Sequence, residues 1–254
     1  ILLFLMRYFH MTGEANALKM VEKTLERMYM GGIYDHIGFG FARYSTDRQW
    51  LVPHFEKMLY DNALLTIAYL EAYQLTQKSE YAVIAEEILA YIKREMVSTE
   101  GGFYTAQDAD SEGEEGKYYI WDVDEILTIL GIEEGQEFCK IYGINRKGNF
   151  NGGNIPNLLN RQFGREDSDK IARWRIKLLT YRERRVKPFK DDKILTSWNG
   201  LMIAALAKAY RILHNPDYLQ TAEEAVEFIL SRLIRADGRL LARYRAGQAD
   251  FLAY

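Results

Sequence analysis

The chain has 254 residues, of which 48% are hydrophobic and 27% are charged, so its composition is that of a soluble globular protein. A net charge of −3 offers no basic surface for nucleic acid, and no apolar run reaches the length of a membrane span. Cys139 is the single cysteine, which excludes an internal disulfide and fits a reducing compartment. We therefore predict a cytoplasmic protein without nucleic-acid or membrane partners.

The first segment of the chain, ILLFLM, is apolar, but Arg7 and His10 interrupt the apolar run soon after it. This pattern predicts a buried helix rather than a secretory signal peptide. The following segment, YFHMTGEANALKMVEKTLERM, leads to the glycine pair Gly31-Gly32.

Residues 31–65, GGIYDHIGFGFARYSTDRQWLVPHFEKMLYDNALL, are too many for a simple connection and too aromatic for disorder. They predict a folded loop that binds a polar ligand. General acid/base catalysis requires titratable side chains that converge on one pocket. We predict as catalytic residues Asp35, His36, His54 and Asp61. We predict as substrate-binding residues of the same loop Arg43, Trp50, Glu56 and Asn62.

The alternative for this loop is structural. Asp61 falls in or near the first turn of a helix, where the helix dipole favours an ionised carboxylate, so it could act as a base or simply cap the helix. Asp35 and Arg43 could form a structural pair. The sequence leaves both readings open.

Two kinds of helix follow. The segments 63–73 and 200–210 are apolar nearly all round, which predicts inner helices buried on several sides. The segments 81–96 and 216–234 are amphipathic, which predicts outer helices.

Between these helices, Asp108, Asp110, Glu112 and Gly113 match the start of a calcium-binding EF-hand loop. Tyr119 stands where that loop needs a bidentate Glu, so we predict either a substrate-binding loop that uses Asp108 and Asp110 or a solvated acidic turn. Cys139 lies on a predicted helix and is expected in the core. Neither a metal nor a cofactor is predicted.

The stretch 187–202, KPFKDDKILTSWNGLM, enters the second inner helix, with Thr196 or Ser197 as its expected N-cap. We predict that Trp198 and Asn199 bind substrate, Trp198 by stacking on a sugar ring.

The chain contains an internal repeat. Residues 81–92 match 218–229, and residues 61–73 match 198–210, both at an offset of 137 residues. The glycine pairs at 31–32 and 101–102 suggest a unit of about half that offset, roughly 68 residues. Inner helices ringed by outer ones predict an all-α fold, an α/α toroid whose long loops gather at one mouth. A closed ring of six such units would need roughly 400 residues, so the toroid is expected to be incomplete in this chain.

Three segments also resemble a known family: GGIYDHIGFGFARYSTDRQWLVPHFEKMLYDNALL, QDADSEGEEGKYYIW and DDKILTSWNGLMIAALAKAY. They are similar to signature segments of the thioredoxin-domain-containing family related to the spermatogenesis-associated thioredoxin-like protein. The resemblance implies a cytosolic protein with a thioredoxin-like domain followed by a six-hairpin-glycosidase-like toroid, similar to N-acylglucosamine 2-epimerases and unsaturated glucuronyl hydrolases. Residues 1–254 would form a single partial toroid domain, without the thioredoxin-like domain and the last hairpins.

Together these patterns predict a carbohydrate-active domain for a small sugar or uronide. Epimerisation would use His36 and His54 as bases on the two faces of a ring carbon, whereas hydrolysis would use the carboxyl groups of Asp35 and Asp61. Arg43 would bind a carboxylate or hydroxyl group. The alternative is a non-catalytic scaffold that binds a glycan or a protein and is associated with a thioredoxin-like domain.

Overall fold

The computed structural model describes residues 1–164 and 168–253; residues 165–167 and 254 of the predicted domain lie outside the described part. The described helices are α1 (Leu2–Thr12), α2 (Ala15–Met30), α3 (Leu59–Thr76), α4 (Ser79–Glu95), α5 (Val123–Leu130), α6 (Ile132–Ile141), α7 (Ser168–Arg182), α8 (Thr196–Leu213) and α9 (Pro216–Arg232). The described strands are β1 (Tyr44–Ser45), β2 (Pro53–His54), β3 (Lys57–Met58), β4 (Ala106–Gln107), β5 (Asp110–Ser111), β6 (Glu114–Glu115), β7 (Lys190–Asp191), β8 (Ile194–Leu195), β9 (Leu241–Arg245) and β10 (Gln248–Leu252). The strands pair antiparallel in four small sheets, in the orders β1-β2, β3-β4-β7, β5-β6 and β8-β9-β10.

The chain divides into two compact units. Unit 1 contains residues 1–18, 57–107 and 190–254, and unit 2 contains residues 19–56 and 108–189. The single domain over residues 1–254 stays a prediction.

Unit 1 is built on two neighbouring inner helices, α3 and α8, which pack against each other; α4 covers α3 and α9 covers α8. The rings of Tyr60 and Trp198 meet near the starts of α3 and α8, with centroids 4.7 Å apart. Lys208 donates to the carboxylate of Glu71 near the ends of the same helices. Because the two helix starts lie together and the two helix ends lie together, α3 and α8 run parallel.

The repeat extends to the bounds of the elements. Helices α3 and α8 have 18 residues each, and α4 and α9 have 17 each. Helices α8 and α9 begin and end 137 residues after α3 and α4, respectively, and strand β8 follows β3 by the same number. Glu71 and Lys208, which are joined by a hydrogen bond, are also 137 residues apart. The predicted inner and outer helices are therefore confirmed, with each inner helix extended by a turn at both ends.

Two local expectations in unit 1 are wrong. Helix α1 forms, but Met6 is its one buried residue, and Phe4 and Met11 are 66% and 83% exposed. Thr196 and Ser197 do not cap α8, because the N-cap position is Leu195 and the Thr196 hydroxyl donates to the carbonyl of Leu241 in β9. A strand from later in the chain thus replaces the cap that the local sequence suggests.

Unit 2 surrounds a core on α5, α6 and α7, where Trp121, Phe138 and Trp174 are buried. Cys139 belongs to this core, as predicted, and burial raises the pKa of its thiol to about 11. The segment with the partial EF-hand pattern is a β5–β6 hairpin. Its two connecting residues, Glu112 and Gly113, have φ values of 54° and 78°, which is the geometry of a tight hairpin turn.

Candidate functional site

A cluster of charged side chains in unit 2 is centred on His54. Nδ1 of His54 lies 2.8 Å from Oε1 of Glu115, and Nε2 lies 3.5 Å from Oε2 of Glu56. Arg43 donates to the same Glu56 oxygen at 3.2 Å. The His54 side chain is 29% exposed, so the cluster is reachable from solvent while its imidazole is held on both sides. We call Arg43, His54, Glu56 and Glu115 the His54 cluster.

Short strands and one tight packing contact position these side chains. Tyr44 of β1 pairs with His54 of β2, and the Arg43 amide donates to the carbonyl of Glu56 at 2.8 Å. Glu115 also accepts a hydrogen bond from the amide of Phe55 at 3.3 Å. The ring of Phe55 packs so closely on Gly116 that a Cβ there would lie 2.5 Å from it. That close approach requires glycine and holds Glu115 beside His54.

Asp35, predicted to be catalytic, is engaged in a buried ion pair with Arg182. The two guanidinium NH2 groups donate to the two carboxylate oxygens at 2.9 Å and 2.8 Å. The amides of Ile37 and Gly38 also donate to Oδ1 of Asp35. Burial alone would lower the pKa of Arg182, but the Asp35 carboxylate outweighs it and raises that pKa. The structural reading of Asp35 is therefore the better one, with Arg182 rather than Arg43 as its partner.

His36, the other predicted catalytic histidine of this loop, is buried with 1% of its surface exposed. Its Nε2 lies 3.1 Å from the carbonyl of Gly31, and the rings of Tyr29, Tyr34 and Tyr142 stand around it at 5.2–5.5 Å. Burial, reinforced by the charge of Arg175, lowers the pKa of His36 to about 3. A neutral imidazole enclosed in this way cannot exchange protons with a substrate while the fold is intact.

Trp50, predicted to bind substrate, has a left-handed backbone with φ of 68°, which is strained for a bulky residue by about 1–3 kcal/mol. The Trp50 carbonyl accepts from the amide of Gly32 at 2.8 Å. A Cβ at Gly31 would lie 2.2 Å from the Trp50 carbonyl oxygen, so the glycine pair exists to admit this backbone. Asp47 closes the other side of the loop by accepting from the amides of Gln49, Leu51 and Val52.

These backbone hydrogen bonds explain why the pKa of Asp47 is lowered. Burial by itself would raise its pKa, but the amides of Val52, Leu51 and Gln49 outweigh burial and lower the pKa of Asp47. Asp47 therefore fixes the loop that carries Trp50 and is not free for catalysis.

Three further predicted site residues belong to unit 1: Asp61, Asn62 and Asn199. Asp61 lies in the first turn of α3, as predicted. Asn62 and Asn199 are fully buried, and each donates to the backbone carbonyl four residues earlier, at 2.9 Å in both cases. Asn199 also exchanges two hydrogen bonds with the backbone of Phe103. Both asparagines are thus used by the fold, which favours a structural role over substrate binding.

Asp108 and Asp110 are exposed at the start of the β5–β6 hairpin, and Asp108 accepts from the amide of Ala109. Among residues 1–164 and 168–253, no group of three or more His, Cys, Asp or Glu side chains is arranged to hold a metal ion.

Three charged residues with partners in the structure were not predicted from the sequence. Glu115 and Arg182 pair with His54 and Asp35, 61 and 147 residues away. In unit 1 Lys57 is buried, with its ammonium 4.5 Å from the centre of the Tyr91 ring. None of the three has a local sequence signal.

No protein-family model matches the chain. Over 264 residues it is 38% identical to human spermatogenesis-associated protein 20, covering 89% of this chain and 33% of that protein. The mouse protein of the same name is 37% identical over 268 residues, covering 92% and 34%. The chain is homologous to spermatogenesis-associated protein 20. The predicted resemblance is thereby confirmed, and the chain spans about a third of the length of these relatives.

Solved structures share the fold at low identity. An inactive variant of the α-1,6-mannanase GH76A of Salegentibacter sp. HEL1_6, in complex with α-1,6-mannotetrose, has a TM-score of 0.54 and 15% identity, covering 93% of this chain and 47% of that one. A UGL variant with dGlcA-Glc-Rha-Glc has a TM-score of 0.50 and 14% identity, covering 96% and 47%. The predicted fold class, an all-α toroid of the six-hairpin glycosidase type, is confirmed.

Within the described residues, no helix combines the length and the apolar character needed to cross a membrane.

Proposed function

We propose that the chain acts on a small sugar or uronide by proton transfer, with His54 as the acid/base residue. The proposal rests on one observation: each ring nitrogen of His54 lies beside a carboxylate, Glu115 at Nδ1 and Glu56 at Nε2, in a partly exposed cluster. Two findings support the substrate class: the fold is that of sugar-active toroids, and two structures of that fold contain α-1,6-mannotetrose and dGlcA-Glc-Rha-Glc.

The geometry supports a role for each of His54, Glu56 and Glu115 in this proposal. Glu115, at 2.8 Å, accepts a hydrogen bond from Nδ1–H and so fixes the tautomer and orientation of the imidazole. Nε2 is then the atom that takes a proton from the substrate and returns it. Glu56, 3.5 Å from Nε2, is close enough to exchange a proton with the imidazole and so to help return it to the substrate.

The neighbouring surface suits a sugar. Tyr44 is 51% exposed and its ring centre lies 5.2 Å from that of His54, so it offers an aromatic face to the C–H groups of a sugar ring. The Arg43 side chain, 43% exposed, places a cationic donor group beside His54, and such a group suits a substrate carboxylate or hydroxyl group. With Asp35 held by Arg182, hydrolysis by an Asp35–Asp61 pair is the less favoured reaction.

Replacing His54 with glutamine should reduce turnover by about 10²-fold or more, because general acid/base catalysis contributes that much. The measurement is proton NMR in heavy water with a panel of reducing sugars, glycosides and unsaturated uronides. Deuterium entering at a ring carbon would indicate epimerisation, whereas new reducing ends without exchange would indicate hydrolysis. His10→Gln is the matched control, since His10 is exposed on α1 in unit 1.

Full activity in the His54→Gln variant would remove His54 from the mechanism. Silence across the panel, with this chain and with a full-length relative, would instead support the non-catalytic scaffold that binds a glycan or a protein. The thioredoxin-like partner domain and the cytoplasmic location remain part of the proposal and are tested on the full-length protein.

A further inference from the structure

A cavity of about 690 Å³ lies in unit 2, on the side of the β1–β2 loop that carries Trp50. It shares no lining residue with the His54 cluster and has the size of a typical small-molecule site. Lys23, Arg27, Arg48, Gln49 and Trp50 are among its lining residues.

The charge of this cavity is one-sided. Lys23 and Arg27 are one turn apart on α2, so their side chains share a face of the helix, and Arg48 adds a third cation from the loop. Among the described residues that line the cavity there is no Asp or Glu. In the part of the chain that the structure describes, none of these three cations is paired with a carboxylate. Unpaired cations that face one cavity favour an anionic ligand.

The remaining lining groups select for a ring. Trp50 is held by the Gly31-Gly32 backbone and by Asp47 in the strained conformation described above, so the backbone from which its side chain projects is fixed. Strain of this kind is commonly retained where a side chain must be presented to a ligand. The exposed amides of Gln49 and Asn160 add donors and acceptors suited to hydroxyl groups.

We propose that this cavity binds an anionic monosaccharide, that is, a sugar carrying a phosphate or a carboxylate. The cations bind the charged group, and the indole of Trp50 packs against the ring. This proposal does not depend on a catalytic role for His54, because it concerns binding and uses none of the residues of the His54 cluster.

The test is quenching of tryptophan fluorescence by glucose 6-phosphate, glucuronate, glucose and inorganic phosphate, with calorimetry as the second measurement. Trp121 and Trp174 are almost fully buried, and Trp50→Phe identifies the part of the signal that comes from the cavity. We expect at least one of the two anionic sugars to bind more tightly than both glucose and phosphate, and its affinity to fall as salt rises. The two anionic sugars distinguish a phosphate from a carboxylate ligand.

The decisive variant is Lys23→Gln with Arg27→Gln. Both positions are exposed on α2 and glutamine is a good helix former, so the fold should persist. We expect about a tenfold or greater loss of affinity for the anionic sugar. Lys140→Gln with Arg211→Gln is the matched control, since it removes the same charge from exposed positions outside the cavity. Equal binding by the two double variants, equal binding of glucose or phosphate, or no binding at millimolar concentration would overturn the proposal.

Discussion

Replacing Arg182 with methionine should lower the free energy of unfolding by about 3–5 kcal/mol, the usual cost of breaking a buried ion pair on one side. The side chains of Arg182 and Asp35 are 3% and 9% exposed, and two hydrogen bonds join them. Methionine would fill part of the space but leave the Asp35 carboxylate without its cation. The backbone amides of Ile37 and Gly38 would still donate to it, but they carry no positive charge.

The chain contains a matched control for this prediction. Arg146 and Asp124 form the same two-pronged pair, with contacts of 2.9 Å and 2.6 Å, but their side chains are 70% and 65% exposed. Because water screens an exposed pair, Arg146→Met should change the midpoint of urea unfolding very little. Similar midpoints for Arg182→Met and Arg146→Met would show that the Asp35 pair does not stabilise unit 2. Adding Asp35→Leu to Arg182→Met should restore part of the loss, since neither charge of this pair is then left buried.

Acidification should destabilise the protein through His36, and His36→Phe should weaken that effect. Burial first, and Arg175 second, lower the pKa of His36 from 6.5 to about 3. Between these two values the unfolded chain binds a proton at His36 that the folded chain excludes. Stability is therefore unaffected by His36 above pH 6.5, and it falls as the pH drops from 6.5 towards 3, by up to about 1.4 kcal/mol per pH unit.

The His36→Phe variant should start less stable at neutral pH, because the hydrogen bond between Nε2 and the carbonyl of Gly31 is lost. Phenylalanine keeps the ring contacts with the surrounding tyrosines and cannot titrate. We therefore expect the stability difference between wild type and variant to shrink steadily on acidification in urea unfolding measured across that range. His10→Gln, at an exposed position, should follow the wild type. Parallel pH curves for wild type and His36→Phe would contradict the prediction.

The helices of unit 1 could be predicted because their signals are local. The apolar faces of α3 and α8 and the 137-residue offset are visible in the sequence, and they specified which segments form inner and outer helices. The glycine pair at 31–32 is also visible in the sequence, but the reason for it is not. That reason is the close approach of the Trp50 backbone, which only the structure shows.

The candidate site was only partly predictable, because polar residues that look alike in one loop differ in burial. His36 and His54 look equivalent in the sequence, yet His36 is enclosed by tyrosines and His54 lies between two carboxylates. The partners that decide these outcomes, Arg182 for Asp35 and Glu115 for His54, come from distant segments. In the sequence, the acidic segment around Glu115 resembles a solvated turn, but in the structure Glu115 contacts His54.

The two units are interleaved along the chain, and this sets the order in which they can be completed during translation. Unit 2 is whole once residue 189 has emerged from the ribosome, whereas unit 1 needs residues 190–254. Helix α3 is therefore synthesised more than a hundred residues before α8, the partner for its buried side. Until α8 has been synthesised, the apolar side of α3 that packs against it stays uncovered, and such exposed apolar surface is what a chaperone protects.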